Sequence, residues 1–204
     1  MPWSLSKYNP GTDVDLFCGW SGGFTDDEIE QIRWMGNVGK FQSGTTGRST
    51  VADENVRKSS VMWIQGNKDT RWLFERLSNI TSRINHERFL YDIDEMSDLQ
   101  YTRSGDDGDH YTWHFDATTD RLEYRIRKIS MVMGLNDPDE YEGGDFQIIK
   151  TGNIEKIETL RPAKGEIIFF SSMFPHRVTP VTKGTRETLV AWISGVREGQ
   201  HRYT

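Results

Sequence analysis

The chain has 204 residues, of which 35% are hydrophobic and 12% aromatic, and its formal net charge is −6. This size suits one domain, and the acidic balance argues against a general nucleic-acid binder. Cys18 is the only cysteine, so no intramolecular disulfide forms, and Met1–Lys7 has no basic region ahead of an apolar run. We therefore expect a cytoplasmic protein. No apolar stretch approaches the ~18 residues that a membrane span needs, so no membrane is expected as a partner.

The first helix is predicted by its start signal and by its periodicity. Residues 1–23 are rich in glycine, proline, serine and aspartate, and we interpret them as an irregular arm laid over the core. Thr25 and Glu28 then stand three positions apart, as in a capping box, whose side chains satisfy the free N–H groups of a helix start. Apolar residues recur at helical spacing after this box, which predicts a helix ending near Gly36 or Asn37.

A segment rich in glycine and threonine separates this helix from a second one. Residues 42–57 hold few apolar groups and are long enough for a lid over a substrate, with a plain surface loop as the equal alternative. A short strand over 61–64 follows, and Asn67 or Asp69 is then placed to cap a second helix. The apolar stripe of that helix, at spacings of four, three and four, consists of Leu73, Leu77, Ile80 and Ile84.

From residue 97 onward the pattern changes to short strands with turn signals between them. The predicted strands cover 98–102, 111–116, 124–135, 145–150, 154–160, 166–171, 176–181 and 187–196. Many short strands at even spacing favour an antiparallel sandwich or barrel. We therefore expect a mainly β, α+β fold in one domain, in which an N-terminal part over 1–96 packs against a β-sandwich core over 97–198.

His114 and Asp116 are the most informative residues of the chain. Side chains two positions apart on a strand share one face, so one strand end is able to supply two ligands to a metal ion. His176 opens a later strand after the turn at Pro175, and antiparallel pairing brings such distant positions together. Two imidazoles and a carboxylate bind Fe(II) on one face and leave the other coordination positions open. Arg186, ten residues further on, is placed to hold the far end of a cosubstrate.

Seven short blocks in the second half of the chain occur in an order typical of one enzyme family. They are Leu99–Tyr101, Tyr111–Asp116, Glu142–Phe146, Pro162–Phe170, Pro175–Val181, Gly184–Arg186 and Trp192–Ile193. In these blocks the chain resembles the prolyl 4-hydroxylase-like branch of the Fe(II)- and 2-oxoglutarate-dependent dioxygenases. The resemblance spans about half of the chain, residues 97–196. It implies a double-stranded β-helix, a distorted jelly roll with helices bracing one sheet.

The resemblance also implies roles for single residues. The two histidines and the aspartate just described are then the ligands of Fe(II), and Arg186 binds the distal carboxylate of 2-oxoglutarate with its planar fork. Tyr101 is expected to place its hydroxyl on the same carboxylate, and Trp192 to wall the cosubstrate pocket. The implied reaction hydroxylates a C–H bond, with peptidyl proline as the first choice. It consumes O2 and converts 2-oxoglutarate to succinate and CO2. Ascorbate is implied as an added reductant, and a peptide or protein as the partner.

The residues by themselves leave other metal sites open. His110, four positions before His114, would complete a three-histidine zinc site with His176. The acidic turn over 106–109 suggests calcium, but it lacks the spacing and the bidentate glutamate of an EF-hand loop, so a solvated turn is favoured.

A basic cluster and two further functions complete the alternatives. The cluster consists of Arg121, Arg125, Arg127 and Lys128. It is interpreted as a solvated edge or as a contact for an acidic peptide or a phosphate. Hydroxylation of another side chain or of a small metabolite, and a catalytically silent peptide-binding jelly roll, stay open as functions.

Overall fold

The computed structural model describes residues 16–46, 52–117, 124–150 and 155–197. The helices are α1 (Asp26–Val38) and α2 (Arg71–Ile84), and α2 continues into a π-helical turn over Asn85–Phe89. The strands are β1 (Phe17–Trp20), β2 (Gln42–Ser43), β3 (Arg57–Lys58), β4 (Ser60–Ile64), β5 (Glu95–Met96), β6 (Leu99–Ser104), β7 (His110–His114), β8 (Arg125–Gly134), β9 (Tyr141–Gly143), β10 (Phe146–Ile149), β11 (Ile157–Leu160), β12 (Ile167–Ser171), β13 (His176–Val178), β14 (Val181–Gly184) and β15 (Arg186–Val196). A 3-10 turn covers Pro138–Glu140. The mainly β architecture with two helices agrees with the expectation.

Helix α1 begins at the predicted capping box. The Thr25 side chain accepts a hydrogen bond from the Glu28 backbone, and the Glu28 side chain accepts one from the Thr25 backbone. Ile29 and Ile32 are fully buried against the sheet. Gly36 lies so close to the ring of Tyr101 that an added Cβ atom would stand 2.4 Å from it. The helix therefore needs glycine here to pack this tightly on the sheet.

Helix α2 carries the predicted apolar stripe, but the predicted cap was wrong. The helix begins at Arg71 with Thr70 in the capping position, and no side chain closes that end. The carboxamide oxygen of Asn67 instead accepts hydrogen bonds from the backbone of Asp69 and Thr70, at 2.8 and 3.3 Å. Asn67 therefore organises the turn before the helix. Among the described residues, no helix is both long and apolar enough to cross a bilayer.

The eight-stranded sheet forms the centre of the molecule. Its order is β1-β12-β8-β15-β6-β4-β2, and β5 pairs with β15. The strand β1 corrects the expected irregular arm over 1–23, because Phe17–Trp20 pairs with β12. The rest of that arm, 1–15, lies outside the described residues. One face of this sheet packs on both helices in a core that includes Leu77, Met131 and Phe169. Each fully buried side chain of this kind contributes about 1.5–3 kcal/mol.

A five-stranded sheet covers the other face of the large sheet. Its order is β11-β10-β13-β7-β3, and a core of Val132, Phe146, Ile148, Ile168 and Phe170 fills the space between the two sheets. The strand predicted over 176–181 is divided into β13 and β14, and β14 pairs with β9 in a separate ladder. Pro180 lies at the division, where its missing N–H removes a ladder hydrogen bond.

The N-terminal part contributes strands to both sheets. Strand β2 pairs with β4 in the large sheet, and β3 pairs with β7 in the smaller one. The candidate lid over 42–57 thus runs from one sheet to the other, with residues 47–51 outside the described part. The Gly44 backbone donates to the carbonyl of Ser59, the residue before β4, at 2.8 Å. Its action as a lid, and the organisation of 1–204 as one domain, stay predictions.

Candidate metal centre

His114, Asp116 and His176 come together between the two sheets. His114 ends β7, His176 begins β13, and the two residues are direct partners in the ladder between these strands. Asp116 approaches both imidazoles, with 3.6 Å to the Nε2 atom of His114 and 3.4 Å to that of His176. One ligand atom from each residue lies within 4.8 Å of the others. Ligands that are ~2.1 Å from one metal ion stand about 3 Å apart at right angles, so this spacing fits a shared ion.

Backbone carbonyls fix the orientation of both imidazoles. The Nδ1 atom of His114 lies 2.8 Å from the Thr112 carbonyl, and the Nδ1 atom of His176 lies 2.9 Å from the Phe174 carbonyl. A carbonyl only accepts, so each Nδ1 must be the protonated nitrogen. The Nε2 lone pairs then point to the shared position beside Asp116. Metal-ligating histidines commonly carry such a partner on the second ring nitrogen.

Burial and charge keep His114 and Asp116 in the forms that bind a cation. Burial, together with the charge of the neighbouring His176, lowers the pKa of His114 to about 4, so this imidazole is neutral at pH 7. Burial alone would raise the pKa of Asp116. The electrostatic effect of His176, then that of His114, and the hydrogen bond from Ser130 outweigh burial and hold that pKa below its usual value. At neutral pH, His114 therefore offers a neutral nitrogen and Asp116 a carboxylate.

Arg186 lies at one end of the same cleft as a buried charge with unused donors. It is 4% exposed, and its Nε and Nη2 atoms have no hydrogen-bond partner among the described residues. Burial lowers its pKa, while the hydroxyl of Tyr141 beside it acts in the opposite direction. Arginine stays protonated in proteins, so the unused donors represent an uncompensated cation. A ligand carboxylate that accepts from both nitrogens would remove this cost, which fits the expected cosubstrate.

The cleft itself opens between the sheets. The large sheet lines it with residues from β6, β8 and β15, namely Gln100, Thr102, Ser104, Val132, Arg186, Thr188, Val190 and Trp192. Trp192 is 7% exposed and lies in this lining, where it was expected. The alternate residues of β15 face the helices, because successive side chains of a strand point to opposite faces.

Tyr101 requires a correction, because its side chain leaves the sheet on the face opposite the cleft. Its hydroxyl donates to the Oε1 atom of Glu187 at 2.6 Å, and its ring packs against Gly36 of α1. Burial, and then this hydrogen bond, raise the pKa of Tyr101. The expectation that Tyr101 reaches the cosubstrate was wrong, since its neighbours Gln100 and Thr102 are the residues of β6 that line the cleft.

Arg57 is a residue of the cleft that sequence reasoning missed. It is 8% exposed and donates to the Gln100 side chain at 2.8 Å, to the Ser59 hydroxyl at 3.0 Å and to the Thr45 carbonyl at 3.2 Å. Its guanidinium also lies 4.8 Å from the ring of Tyr111, which in turn stacks on the His114 imidazole at 3.5 Å.

The alternative metal sites are not assembled in the described part of the chain. The two ring nitrogens of His110 face the carbonyls of Gly108 and Asn55, at 2.9 and 3.4 Å, so this histidine is turned away from the triad. Within the acidic turn, Asp109 accepts from the Gly105 backbone and lies 3.7 Å from Lys58. Among the described residues, the triad is the one group of three ligand side chains that lie close enough to share an ion.

The predicted basic cluster is divided by the structure. Arg125 forms salt bridges to Asp94 and Glu95, as a solvated edge would. Arg127 instead lies over the indole of Trp192, with 4.0 Å to the ring centroid. Arg121 lies outside the described residues.

The sequence of the part of the chain that carries this site is similar to known proteins. Residues 99–194 fit the sequence model of the 2OG-Fe(II) oxygenase superfamily. A PKHD-type hydroxylase of Xylella fastidiosa is 43% identical over 76 residues, which cover 37% of this chain and 32% of the relative. A PKHD-type hydroxylase of Hyphomonas neptunium is 32% identical over 99 residues, covering 47% and 43% of the two chains. The chain thus spans about a third of the length of the first relative and under half of the second.

Solved structures share the fold over most of the chain. A prolyl hydroxylase from Trichoplax adhaerens, in complex with a hypoxia inducible factor oxygen degradation domain peptide fragment, aligns with a TM-score of 0.71 at 20% identity and covers 88% of this chain and 84% of its own. A prolyl-4-hydroxylase from Pseudomonas putida aligns with a TM-score of 0.69 at 16% identity, covering 91% and 95%. The expected double-stranded β-helix is confirmed.

Proposed function

We propose that this chain is a 2OG-Fe(II) oxygenase with hydroxylase activity, because residues 99–194 fit the sequence model of that superfamily. The proposed activity is Fe(II)- and 2-oxoglutarate-dependent hydroxylation of a C–H bond, with 2-oxoglutarate converted to succinate and CO2. The proposed substrate is a peptidyl proline. A cytoplasmic location is part of the proposal, because a reducing compartment suits both Fe(II) and the single thiol of Cys18.

One observation supports this activity most strongly. A two-histidine, one-carboxylate group and a buried guanidinium with unused donors face the same cleft. The first is the ligand set of non-haem Fe(II) oxygenases, which leaves open positions on the metal. The second suits a diacid whose far end needs a bidentate partner. A zinc hydrolase would use the first feature and has no evident need for the second.

Each residue of the site then has a task. His114 and His176 would hold Fe(II) through their Nε2 atoms, and Asp116 would supply one negative charge. The bound ion supplies the activation of O2 that couples decarboxylation of 2-oxoglutarate to hydroxylation of the substrate. Arg186 orients the cosubstrate by its distal carboxylate, and the Tyr141 hydroxyl steadies the guanidinium.

Apolar side chains close the cleft between the metal group and Arg186. Val132, Phe146 and Val190 line this part, and Phe146 packs at 5.6 Å from the ring of His176. They exclude water from the region where the cosubstrate reacts, which strengthens the electrostatic contacts inside it. Ascorbate would act from solution as a reductant that keeps the iron ferrous.

The choice of peptidyl proline is supported by the described relatives. Two proteins of the same fold are a prolyl hydroxylase bound to a peptide fragment and a prolyl-4-hydroxylase. The cleft is open between the sheets, as access for an extended peptide requires.

The test is a coupled measurement of cosubstrate and product. The protein is incubated with Fe(II), 2-oxoglutarate, O2 and a set of proline-containing peptides, and succinate and a single added oxygen are measured by mass spectrometry. We expect succinate and hydroxylated peptide in equal amounts from the wild type and neither from His114→Ala. Succinate at the level of the His114→Ala control would contradict the oxygenase function. Succinate with no oxygenated peptide would contradict only the peptidyl substrate.

A further inference from the structure

Arg127 and Trp192 form a pair at the end of the cleft opposite Arg186. The guanidinium of Arg127 lies 4.0 Å from the centre of the indole of Trp192, and Trp192 lines the cleft. Strand β15 gives the positions along the cleft. Trp192 pairs with Ser130, whose hydroxyl contacts Asp116, so the indole lies level with the metal group. Six residues of extended strand, about 20 Å, separate the Cα atom of Trp192 from that of Arg186.

A β-bulge puts Arg127 on this face. In the ladder between β8 and β15, Ile193 pairs with Ile129 but Ser194 pairs with Arg127, so Lys128 has no partner. Without the extra residue, alternation from Ser130 would turn Lys128 toward the cleft and Arg127 toward the helices. Bulges commonly redirect a side chain next to an active site. The redirected Arg127 lies beyond the metal group, on the side away from the proposed cosubstrate.

The charge of Arg127 has no direct partner in the described part of the protein. It makes no ion pair or hydrogen bond with a described residue, although it lies close enough to Asp116 for that charge to act on it. Burial lowers its pKa, which reflects the cost of removing the guanidinium from water. Trp192 adds a second unused donor, because its indole N–H is buried without a partner among the described residues.

Positive charges also outnumber negative ones at the cleft. Among the described residues, Arg57 and Arg186 line it and Arg127 lies beside it on Trp192, against the single lining carboxylate of Asp116. The distal carboxylate of 2-oxoglutarate would neutralise Arg186. Its other carboxylate and Asp116 would neutralise Fe(II). Two positive charges then remain, because the hydrogen bonds of Arg57 go to three neutral oxygens.

The geometry points to a substrate that carries a carboxylate, bound by Arg127 with the indole N–H of Trp192 while Arg57 contributes charge from across the cleft. This inference rests on the proposed function and adds the chemical class of the substrate. Two sources offer the same group: an aspartate or glutamate near the reacting residue of a peptide, and the α-carboxylate of a free amino acid. The remaining charge on the protein favours such substrates over neutral or basic ones.

Matched substrates separate these sources. The peptides are acetylated and amidated, contain one proline, and carry Asp, Asn or Lys at each of the two positions on either side of it. Free L-proline and L-prolinamide form the second pair. Binding is measured by calorimetry with Fe(II) and 2-oxoglutarate in the absence of O2, and kcat/KM for hydroxylation is measured in air. We expect the affinity and kcat/KM of an Asp peptide to exceed those of its Asn counterpart by about tenfold or more at one of these positions. This is the effect of losing one charge-assisted hydrogen bond.

Variants of Arg127 test whether this residue reads the charge. Arg127→Gln should remove the preference for Asp peptides over Asn peptides, and Arg127→Lys should keep most of it. Arg127→Glu should instead prefer the Lys peptides. Arg125→Gln is the matched control, since it removes the same charge two residues away from a surface salt bridge. Each variant is judged by the ratio between two substrates, so a partial loss of folded protein does not alter the result.

The possible results either support or overturn a role for Arg127 in binding a substrate carboxylate. A preference for L-proline over L-prolinamide that Arg127→Gln removes would support it with the free acid as the source. Equal use of Asp and Asn peptides together with equal use of L-proline and L-prolinamide would overturn it. So would a preference that persists in Arg127→Gln or disappears equally in Arg125→Gln. If succinate forms but no carboxylate substrate is oxygenated, the inference fails while the oxygenase function stands, and absence of succinate removes both.

Discussion

Ser130, in the middle of the large sheet, donates a hydrogen bond of 2.7 Å to the Oδ2 atom of Asp116, which follows a strand of the smaller sheet. The same hydroxyl lies 2.9 Å from that of Ser172. The carboxylate of the metal group is therefore held from both sides of the sandwich. Its orientation depends on the packing of the two sheets and not on β7 alone.

Ser130→Ala should weaken Fe(II) binding by about 10–100-fold, the usual effect of losing a partner of a metal ligand. The measurement is an anaerobic titration of Fe(II) into the protein. Ser171→Ala is the matched control, because the Ser171 hydroxyl is equally buried but contacts Tyr91 and the Met173 backbone instead. Wild-type affinity in Ser130→Ala would show that Asp116 needs no support from the large sheet.

Arg186→Gln should weaken 2-oxoglutarate binding by roughly 100-fold or more, since a buried carboxylate would lose its charged partner at a cost of about 3 kcal/mol. Arg186→Lys should recover only part of this, because an ammonium lacks the planar fork. Calorimetry with Fe(II) and without O2 gives the dissociation constants. Pyruvate, which lacks the distal carboxylate, should bind the wild type and Arg186→Gln equally weakly. Tight binding of pyruvate to the wild type would remove Arg186 from this role.

A pair of tyrosine variants tests the correction for Tyr101. Tyr101→Phe should leave the affinity for 2-oxoglutarate unchanged and cost about 1 kcal/mol of unfolding free energy, the loss of one buried hydrogen bond to Glu187. Tyr141→Phe removes the hydroxyl beside Arg186 and should weaken the binding of 2-oxoglutarate several-fold. Calorimetry and urea unfolding measure the two effects. Weaker 2-oxoglutarate binding in Tyr101→Phe alone would return Tyr101 to the cosubstrate site.

The lowered pKa of His114 predicts how the stability of the metal-free protein depends on pH. The unfolded chain takes up a proton on this imidazole near pH 6.5, whereas the folded protein does so only near pH 4. Between these values the unfolded state binds more protons, so the free energy of unfolding falls as the pH decreases from about 6.5 to about 4. The loss from this residue reaches about 3 kcal/mol.

Urea unfolding across this pH range, in the presence of a chelator, measures the effect. His114→Asn should show a shallower fall than the wild type over the same interval, because asparagine does not titrate. Parallel curves for the two proteins would mean that the imidazole of His114 is as easily protonated in the folded state as in water.

The parts of the fold that depend on residues close together in the sequence could be predicted. The capping box of Thr25 and Glu28 fixed the start of α1, and the alternation of His114 and Asp116 placed two ligands on one face. Both rest on local geometry that leaves little choice. The strand β1 was missed because four residues on a sheet edge carry no periodic signal of their own.

Tyr101 shows that the alternation of side chains along a strand does not by itself identify which residues face the cleft. The large sheet is buried on both faces, by helices on one side and by the smaller sheet on the other, so apolar character does not identify the face of the cleft. In β6 both Gln100 and Tyr101 are buried, and only the tertiary arrangement decides which of them meets the cosubstrate. A tyrosine in the expected block was therefore assigned to the wrong face.

Arg57 and Arg127 could not be placed in the site for a related reason. Arg57 reaches the cleft because β3 crosses to the smaller sheet, and Arg127 reaches it because of the bulge at Lys128. Neither a crossing nor a bulge leaves a pattern in a single sequence. Arg57 lines the cleft and Arg127 lies on its lining residue Trp192, so both carry the inference about the charge of the substrate.

The metal centre is tested most directly by an anaerobic calorimetric titration of Fe(II) into the wild type and into His114→Ala, Asp116→Ala and His176→Ala, repeated with 2-oxoglutarate present. We predict one Fe(II) per wild-type chain, tighter binding of 2-oxoglutarate when Fe(II) is bound, and loss of the Fe(II) signal in all three variants. One Fe(II) bound with wild-type affinity by any of these variants would contradict the assignment of the metal centre.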